Sequence, residues 1–247
     1  MPGYVKDPKI RLYLNMSLVE GGDITLSKDD SHYILNVMRL GDGAEIALFN
    51  GQDGEWLGTI SLKSKKQAIA TPTKKLKDQS LEPDVWLLFA PIKKARIDFM
   101  VQKATELGAL MLMPIQTRHT AMDRVKEERL RANAKEAAEQ CGRMAVPIVT
   151  SLQKFEVVMA KWPDDRHIMF CDEDLSGLSA IDALKEAPKG KWAIFIGPEG
   201  GWSDDERDWI KKHPKALTVS LGHRVLRADT AAISALTLFQ SILGDWA

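Results

Sequence analysis

The segment from Ile194 to Glu206 joins a short apolar run to a glycine-rich turn and a helix start. It reads Ile194-Phe195-Ile196-Gly197-Pro198-Glu199-Gly200-Gly201-Trp202-Ser203-Asp204-Asp205-Glu206. Glycines let a backbone approach a ligand closely, and the spacing of Ser203 and Glu206 predicts a capping box. The segment therefore predicts a strand, a ligand-binding turn and a helix. A tight turn without a ligand is the alternative.

Acidic residues limit which ligand this turn suits. Asp204, Asp205 and Glu206 occupy the first turn of the predicted helix, where the dipole would otherwise attract a phosphate. The turn matches neither the GxGxxG pattern nor the P-loop pattern. A ligand with positive charge and an adenine ring fits better than a phosphate.

A second segment, from Leu221 to Ala232, has the same organisation of strand end, irregular loop and helix start. Asp229 or Thr230 is predicted to cap the helix. Arg224 and Arg227 precede it, and arginines beyond a strand's carboxyl end suit an RNA phosphate or a substrate base. Salt bridges from these arginines to the acidic run 204–206 are the alternative.

The elements that must position these loops form a predicted α/β domain after Leu81, with apolar runs alternating with amphipathic stretches. The predicted strands are Val85–Ala90, Leu110–Pro114, Val146–Thr150, Ile168–Cys171, Trp192–Ile196 and Ala216–Leu221. One predicted helix ends at Gly108, another at Gly142, and a last one, apolar on nearly all sides, covers 231–243.

The first part of the chain is predicted to be a small β-rich domain with one helix over Ser27–Leu40. Short apolar runs near residues 11–14, 44–49 and 56–60 are separated by turn signals such as Asn50-Gly51. Six lysines and Pro72 lie between Lys63 and Lys77, which indicates a linker or an edge. We place the domain boundary near 72–82 and predict domains 1–74 and 75–247.

Composition limits the function classes. The formal net charge is zero, so a nucleic-acid surface requires local segregation of charge. Cys141 and Cys171 form no CxxC pair and the histidines are scattered, which predicts no metal site and a reducing compartment. No run of about 18 apolar residues occurs. These features predict a soluble cytoplasmic protein with no membrane partner.

Two groups of basic residues are candidate RNA surfaces. The first is Lys93, Lys94, Arg96 and Lys103, opposed in its own stretch only by Asp98; the second is Lys63, Lys65 and Lys66 with Arg11 and Arg39. Charge runs are often simply solvated surface, which is the alternative for both groups.

Several motifs together resemble the RsmE family, the bacterial 16S rRNA uridine-N3 methyltransferases of the SPOUT superfamily. The resemblance rests on Gly197-Pro198-Glu199-Gly200-Gly201 and on Leu221-Gly222-x-Arg224-Val225-Leu226-Arg227-x-Asp229-Thr230-Ala231. Further similarity covers residues 94–108, 139–147 and the N-terminal Ser31-His32-Tyr33 with Val37-Met38-Arg39. Asp229 stands where the family usually has Glu, and Met38 where it usually has Leu.

The resemblance implies an α/β fold: a C-terminal SPOUT-type, trefoil-knotted parallel-sheet methyltransferase domain with a small N-terminal PUA-like β-barrel domain that binds RNA. It also implies S-adenosyl-L-methionine as cofactor, a homodimer, and 16S rRNA or the small ribosomal subunit as partner, with uridine 1498 as the family's target. The expected cofactor-binding residues are Phe170, Cys171, Gly197, Pro198, Glu199, Gly200, Gly201, Leu221, Gly222, Val225, Leu226, Thr230 and Ala231. The expected RNA-binding residues are Arg11, Arg39, Lys93, Lys94, Arg96 and Arg224.

Methyl transfer to uridine N3 needs stabilisation of negative charge on the base and an acceptor for the N3 proton. We expect Arg227 or Arg143 to stabilise the charge, with another group or water taking the proton. Trp202 could line the cofactor pocket, and His223 is assigned no catalytic role. The alternatives are a methyltransferase of another RNA, such as tRNA, and a non-catalytic RNA-binding ribosome-assembly factor.

Overall fold

The structure is a computed structural model and describes residues 8–174 and 177–247, without the side chain of Lys94. It divides into two units: the first comprises Met1–Leu81 and Ala138–Val146, the second Glu82–Ala137 and Pro147–Ala247. The predicted boundary at 74/75 differs from this division for a local reason: the last strand of the first unit continues through Lys77.

The first unit is built on a five-stranded sheet. Its elements are β1 (Arg11–Tyr13), β2 (Ile24–Thr25), α1 (Lys28–His32) continued by a π-helical turn (Tyr33–Val37), β3 (Glu45–Phe49), β4 (Glu55–Ser64) and β5 (Gln67–Lys77). The strand order is β1-β3-β4-β5-β2, with β1 parallel to β3 and the other pairs antiparallel. Leu12, Ile34 and Ile60 belong to its core. This unit is the predicted β-rich domain.

The lysine-rich segment 63–77 comprises the end of β4, a turn at residues 65–66 and strand β5, and is not a linker. Strand β5 pairs with β4 along its length, but β2 covers it only near Ile69 and Ala70. Pro72 lies beyond this pairing, and its carbonyl accepts from the backbone N–H of Gly21 at 2.8 Å. Among the described residues no second strand pairs with β5 at Pro72, so its missing N–H costs no ladder hydrogen bond. Of the two predicted possibilities, a linker and the edge of a sheet, the structure has the sheet edge.

The second unit contains an all-parallel sheet. Its elements are β6 (Val85–Phe89), α2 (Lys94–Glu106), β7 (Met111–Gln116), α3 (Glu127–Cys141, ending in the first unit), β8 (Ile148–Val149), β9 (Gln153–Lys154), α4 (Phe155–Ala160), β10 (Arg166–Cys171), β11 (Leu178–Ser179), α5 (Ala180–Lys185), β12 (Lys191–Ile196), α6 (Asp204–Lys212), β13 (Ala216–Ser220) and α7 (Ala228–Ile242). The order is β11-β13-β10-β12-β6-β7-β8, and β9 pairs with β7. The six predicted strands are confirmed, and each of their ends lies within two residues of the predicted position. The trefoil knot stays a prediction.

Helices cover both faces of this sheet, and side chains of β12 alternate between them. Ala193 and Phe195 pack in a cluster with Phe155 of α4 and Ile210 of α6. On the other face, the Trp192 ring lies 6.3 Å from Phe239 of α7. Because both faces are buried, the strand reads as a continuous apolar run. In the described part of the chain, no helix is long and apolar enough to cross a bilayer.

Candidate active site

A cavity of about 360 Å³ lies at the carboxyl ends of β10, β12 and β13. Both loops singled out from the sequence line it, together with the end of β10. Parallel sheets place ligands at this edge because the loops that follow neighbouring strands converge there. The lining residues are Cys171, Asp172, Glu173, Ile196, Gly197, Pro198, Glu199, Gly201, Leu221, Arg224, Val225, Leu226, Arg227, Ala228 and Ala231.

The glycine-rich turn has its shape for two different reasons. At Gly197, a Cβ atom would lie 2.5 Å from the indole Nε1 of Trp202, so only glycine leaves room for that ring. At Gly201, φ is +76°, in the left-handed region that glycine adopts without strain. Trp202 itself is buried beneath the turn against Phe155 and Phe170. The expectation that Trp202 lines the cavity is therefore wrong.

Helix α6 begins with the predicted capping box. The Ser203 side chain accepts from the backbone N–H of Glu206, and the Glu206 carboxylate accepts from the backbone N–H of Ser203 at 3.0 Å. The second Glu206 oxygen accepts from the backbone N–H of Arg118 at 2.8 Å. The capping residue thus also holds the loop after β7 beside the glycine turn.

Acidic residues at the end of β10 fix the other side of the turn. Glu173 accepts from the Trp202 backbone N–H at 3.0 Å and pairs with Arg207 of α6. Asp172, whose side chain is fully buried, pairs with Lys211 at 2.7 Å. Burial alone disfavours the Lys211 ammonium, but hydrogen bonds to Asp172 and Asp174 outweigh it and raise the pKa of Lys211. These pairs tie β10 to α6 on one side of the cavity.

Arg96 of α2 connects the two cavity loops. Its guanidinium holds both carboxylate oxygens of Asp229, at 3.0 and 2.8 Å, and also donates to Glu199 in the glycine turn. Hydrogen bonds from Arg96 keep the pKa of Asp229 below its ordinary value. The guanidinium is thus committed to these carboxylates and holds the two loops together, and the RNA contact expected of Arg96 stays a prediction.

The start of α7 differs from the sequence prediction. Its N-cap is Arg227, without a side-chain capping bond, and neither Asp229 nor Thr230 caps the helix. Asp229 lies inside the first turn, so its carboxylate is available to Arg96.

Arg224 and Arg227 are exposed cavity residues, and within the described residues neither forms an ion pair with the acidic run 204–206. The Arg224 guanidinium donates to Nε2 of His223 at 3.0 Å.

The expected cofactor residues fall into two groups. Those that line the cavity are Cys171, Gly197, Pro198, Glu199, Gly201, Leu221, Val225, Leu226 and Ala231. Those outside its lining are Phe170, Gly200, Gly222 and Thr230. Phe170 is buried in the core because successive strand residues point to opposite faces and its own face carries α4 and α6. Burial raises the pKa of the Cys171 thiol to about 12, so this cavity residue stays protonated at neutral pH.

The remaining expected residues lie outside the cavity lining. Arg143 belongs to the segment Ala138–Val146 of the first unit. Arg11, in the same unit, pairs with the buried Glu55 and donates to the carbonyls of Ala138 and Arg143. These contacts occupy its guanidinium, and the expected RNA contact of Arg11 stays a prediction. Arg39 and Lys93 are exposed. Lys94 begins α2, but its side chain lies outside the described part of the structure.

Sequence reasoning missed residues on both sides of the glycine turn. Glu173 lines the cavity, and Nδ1 of His119 lies 3.1 Å from the carbonyl oxygen of Gly201. Glu173 could have been found as the acidic residue that follows a buried strand. His119 had no local signal, because the segment 117–120 meets the turn only through the parallel sheet.

Family models match most of the chain. Residues 79–240 match an RNA methyltransferase domain, and residues 26–73 match an RNA methyltransferase PUA domain. The chain is 30% identical to ribosomal RNA small subunit methyltransferase E of Rickettsia conorii, over 92% of this chain and 93% of that protein. It is 28% identical to the Bacillus subtilis protein of the same name, over 88% and 90%.

Solved structures of similar proteins share the fold over nearly the full length. A ribosomal RNA small subunit methyltransferase E from Neisseria gonorrhoeae, bound to S-adenosyl methionine, superposes with a TM-score of 0.85 at 25% identity, covering 98% of this chain and all of that one. A putative methyltransferase from Legionella pneumophila with bound SAM gives 0.84 at 28% identity and the same coverage. Both relatives hold this cofactor.

Proposed function

Because the chain belongs to the ribosomal RNA small subunit methyltransferase E family, with an RNA methyltransferase domain and a PUA domain, we propose that it methylates N3 of a specific uridine in 16S rRNA. The donor is S-adenosyl-L-methionine. The observation that carries this proposal is the cavity lined by the glycine turn and the loop 221–227. The family's target, uridine 1498, is the expected site.

The cavity fits a bent nucleoside cofactor. Its volume of about 360 Å³ lies within the range of small-molecule sites, about 300–1,000 Å³. Apolar residues such as Ile196, Leu221 and Leu226 suit an adenine ring. Glu173 and Glu199 also line the cavity, each paired with an arginine, and their carboxylate oxygens can accept hydrogen bonds from an ammonium group of the ligand. We propose that the lining residues hold the cofactor, whereas Phe170 and Gly200 support the lining from behind.

The cofactor supplies a methyl group bound to a positively charged sulfur, which leaves as a neutral thioether when N3 attacks. The protein's task is to place the uracil ring in line and to stabilise the negative charge that develops on it. Arg227 is suited to this role because its guanidinium is exposed at the cavity and has no ion-pair partner among the described residues. We assign this role to Arg227 because it lines the cavity; Arg143, in the first unit, stays the second predicted candidate.

RNA binding is proposed for exposed cations that form no ion pair within residues 8–174 and 177–247. Arg224 lines the cavity, Lys93 precedes α2, and Arg39 lies in the PUA-like unit. Guanidinium and ammonium groups bind the phosphate backbone and position the target base. Arg11 and Arg96 are left out of this proposal because protein acceptors already occupy their guanidinium groups.

A homodimer acting in the cytoplasm is part of the same proposal. Helix α7 packs against α2, and both helices keep apolar side chains partly exposed: Phe99 is 45% exposed, and Ile233 and Leu238 are half-buried. A second copy of the chain could cover this surface. The small ribosomal subunit is the expected partner, which places the reaction where ribosomes are assembled.

Calorimetry tests whether the cavity is a cofactor site. Folded protein is expected to bind S-adenosyl-L-methionine and S-adenosylhomocysteine in competition with each other, and nucleoside triphosphate is expected not to displace either. No binding by folded protein would favour a non-catalytic assembly factor. Displacement of the cofactor by nucleoside triphosphate alone would favour a phosphate-binding site. The acidic residues Asp204, Asp205 and Glu206 argue against such a site.

A further inference from the structure

Uridine N3 carries a proton that must leave when the methyl group arrives, so the site needs an acceptor. The carboxylates that line the cavity are already engaged: Asp172 with Lys211, Glu173 with Arg207, and Glu199 with Arg96. Each of these carboxylates is held by a cation of the protein, so its oxygens are committed to that contact. A proton acceptor is therefore expected outside this acidic group.

His119 lies directly against the glycine turn. Its Nδ1 is 3.1 Å from the carbonyl oxygen of Gly201, a lining residue, and a Cβ atom on Gly200 would lie 3.1 Å from the Cβ of His119. The side chain is exposed, so a ring edge that does not face the turn is open to a substrate. The imidazole thus stands at the border of the cavity.

The contact with Gly201 fixes the tautomer of the neutral ring. A carbonyl oxygen can only accept a hydrogen bond, so Nδ1 of His119 must carry the hydrogen and Nε2 must carry the lone pair. His223, in the opposite loop, differs in this respect, because its Nε2 already accepts from Arg224. Among the described residues of the two loops and their neighbours, Nε2 of His119 is the imidazole acceptor that the protein leaves uncommitted.

The loop that carries His119 is held in place on both sides of the ring. The Thr117 backbone N–H donates to the Thr120 hydroxyl at 2.9 Å, and the Arg118 backbone N–H donates to Glu206 at 2.8 Å. A base that is fixed in this way loses little entropy when it meets its substrate. The loop geometry therefore suits a catalytic group.

We propose that His119 is the general base of the reaction, a role that rests on the proposed function. As the bond between N3 and the methyl carbon forms and the bond from that carbon to sulfur breaks, the electron pair of the broken bond stays on sulfur. The N3 proton passes to Nε2 of His119, and the electron pair of the N3–H bond stays on the uracil ring. The resulting imidazolium keeps its Nδ1 hydrogen bond to Gly201 and releases the proton to water.

His119→Asn separates this role from a structural one. The asparagine amide can still donate to the Gly201 carbonyl, but it cannot accept a proton. We expect the Kd for S-adenosyl-L-methionine to stay within about twofold, and single-turnover methyl transfer to small-subunit rRNA to fall by about 100-fold or more, the typical loss for a general base. His213→Asn, at the far end of α6, is the matched control and should keep wild-type turnover.

Chemical rescue supplies the second measurement. Imidazole added to His119→Ala should restore methyl transfer by about tenfold or more, because it replaces the missing base, whereas His119→Asn should not respond. Wild-type turnover in His119→Asn, or no response of His119→Ala to imidazole, would overturn the assignment. If wild-type protein binds the cofactor but transfers no methyl group to rRNA, the proposed function fails, and the role of His119 fails with it.

Discussion

Arg96 donates two hydrogen bonds to the Asp229 carboxylate, from Nε to Oδ2 at 3.0 Å and from Nη2 to Oδ1 at 2.8 Å. A planar guanidinium on a carboxylate is among the strongest side-chain pairs because both bonds form in one geometry. The same guanidinium reaches Glu199. One residue of α2 thus fixes the glycine turn and the start of α7, the two walls of the cavity.

Removing this pair should weaken cofactor binding. In Arg96→Ala, Asp229 and Glu199 lose their shared cation, and we expect the Kd for S-adenosyl-L-methionine, measured by calorimetry, to rise by about tenfold or more. Arg96→Lys should rescue it only in part, because an ammonium cannot make the paired contact. Arg129→Ala removes a more exposed arginine from its pair with Asp98 and should leave the Kd within about twofold. Wild-type affinity in Arg96→Ala would contradict this role.

The charged Asp229 carboxylate should stabilise the fold at neutral pH, and this stabilisation should be lost in acid. Hydrogen bonds from Arg96 lower the pKa of Asp229 below 3.8, so the charged form stabilises the fold above that value, and the contribution is lost as pH falls through the lower, folded-state pKa. We expect the melting temperature of Asp229→Asn to lie below that of the wild type by a constant amount between about pH 7 and pH 5. The difference should shrink as pH falls further. A difference that widens in acid would count against the pair.

A side chain at Gly201 should destabilise the glycine turn. In Gly201→Ala the new Cβ would lie 2.7 Å from Glu173 Oε1, and φ is +76°. We expect a loss of about 1–3 kcal/mol in the free energy of unfolding by urea, together with weaker cofactor binding. Gly41→Ala is the control, since a Cβ there meets nothing within 4 Å. Equal stability of the Gly201 variant and the wild type would disprove the strain argument.

Arg227 should act on turnover and not on cofactor affinity. Because its guanidinium is proposed to meet charge that develops on the uracil ring, Arg227→Ala should lower single-turnover methyl transfer by about 10²–10³-fold. The Kd for S-adenosyl-L-methionine should remain within about twofold of wild type. Full turnover in this variant, with intact cofactor binding, would remove Arg227 from the mechanism.

Local signals predicted the elements and both cavity loops. Residues close in sequence determine the capping box of Ser203 and Glu206, so the sequence predicted it. The same holds for the apolar residues of strands β6 and β12. The lysine-rich strand β5 was ambiguous, since its pattern mixes charge, proline and small residues. The two-residue strands β9 and β11 carry too few positions to show a period.

Contacts between distant residues could not be predicted in the same way. Arg96 and Asp229 are 133 positions apart, so nothing in either segment identifies the other as a partner. Asp229 was therefore assigned to a helix cap and Arg96 to RNA, the common roles of those residue types. His119 and Gly201 present the same problem, because only the order of parallel strands brings their loops together.

Mass-spectrometric mapping of small-subunit rRNA tests the central proposal most directly. Unmodified small subunits and free 16S rRNA would each be incubated with the protein and labelled S-adenosyl-L-methionine, then digested to nucleosides and to sequence-assigned fragments. We expect one labelled uridine, methylated at N3, which is absent when the cofactor is omitted. Label on another base atom, or on tRNA and not on rRNA, would contradict it.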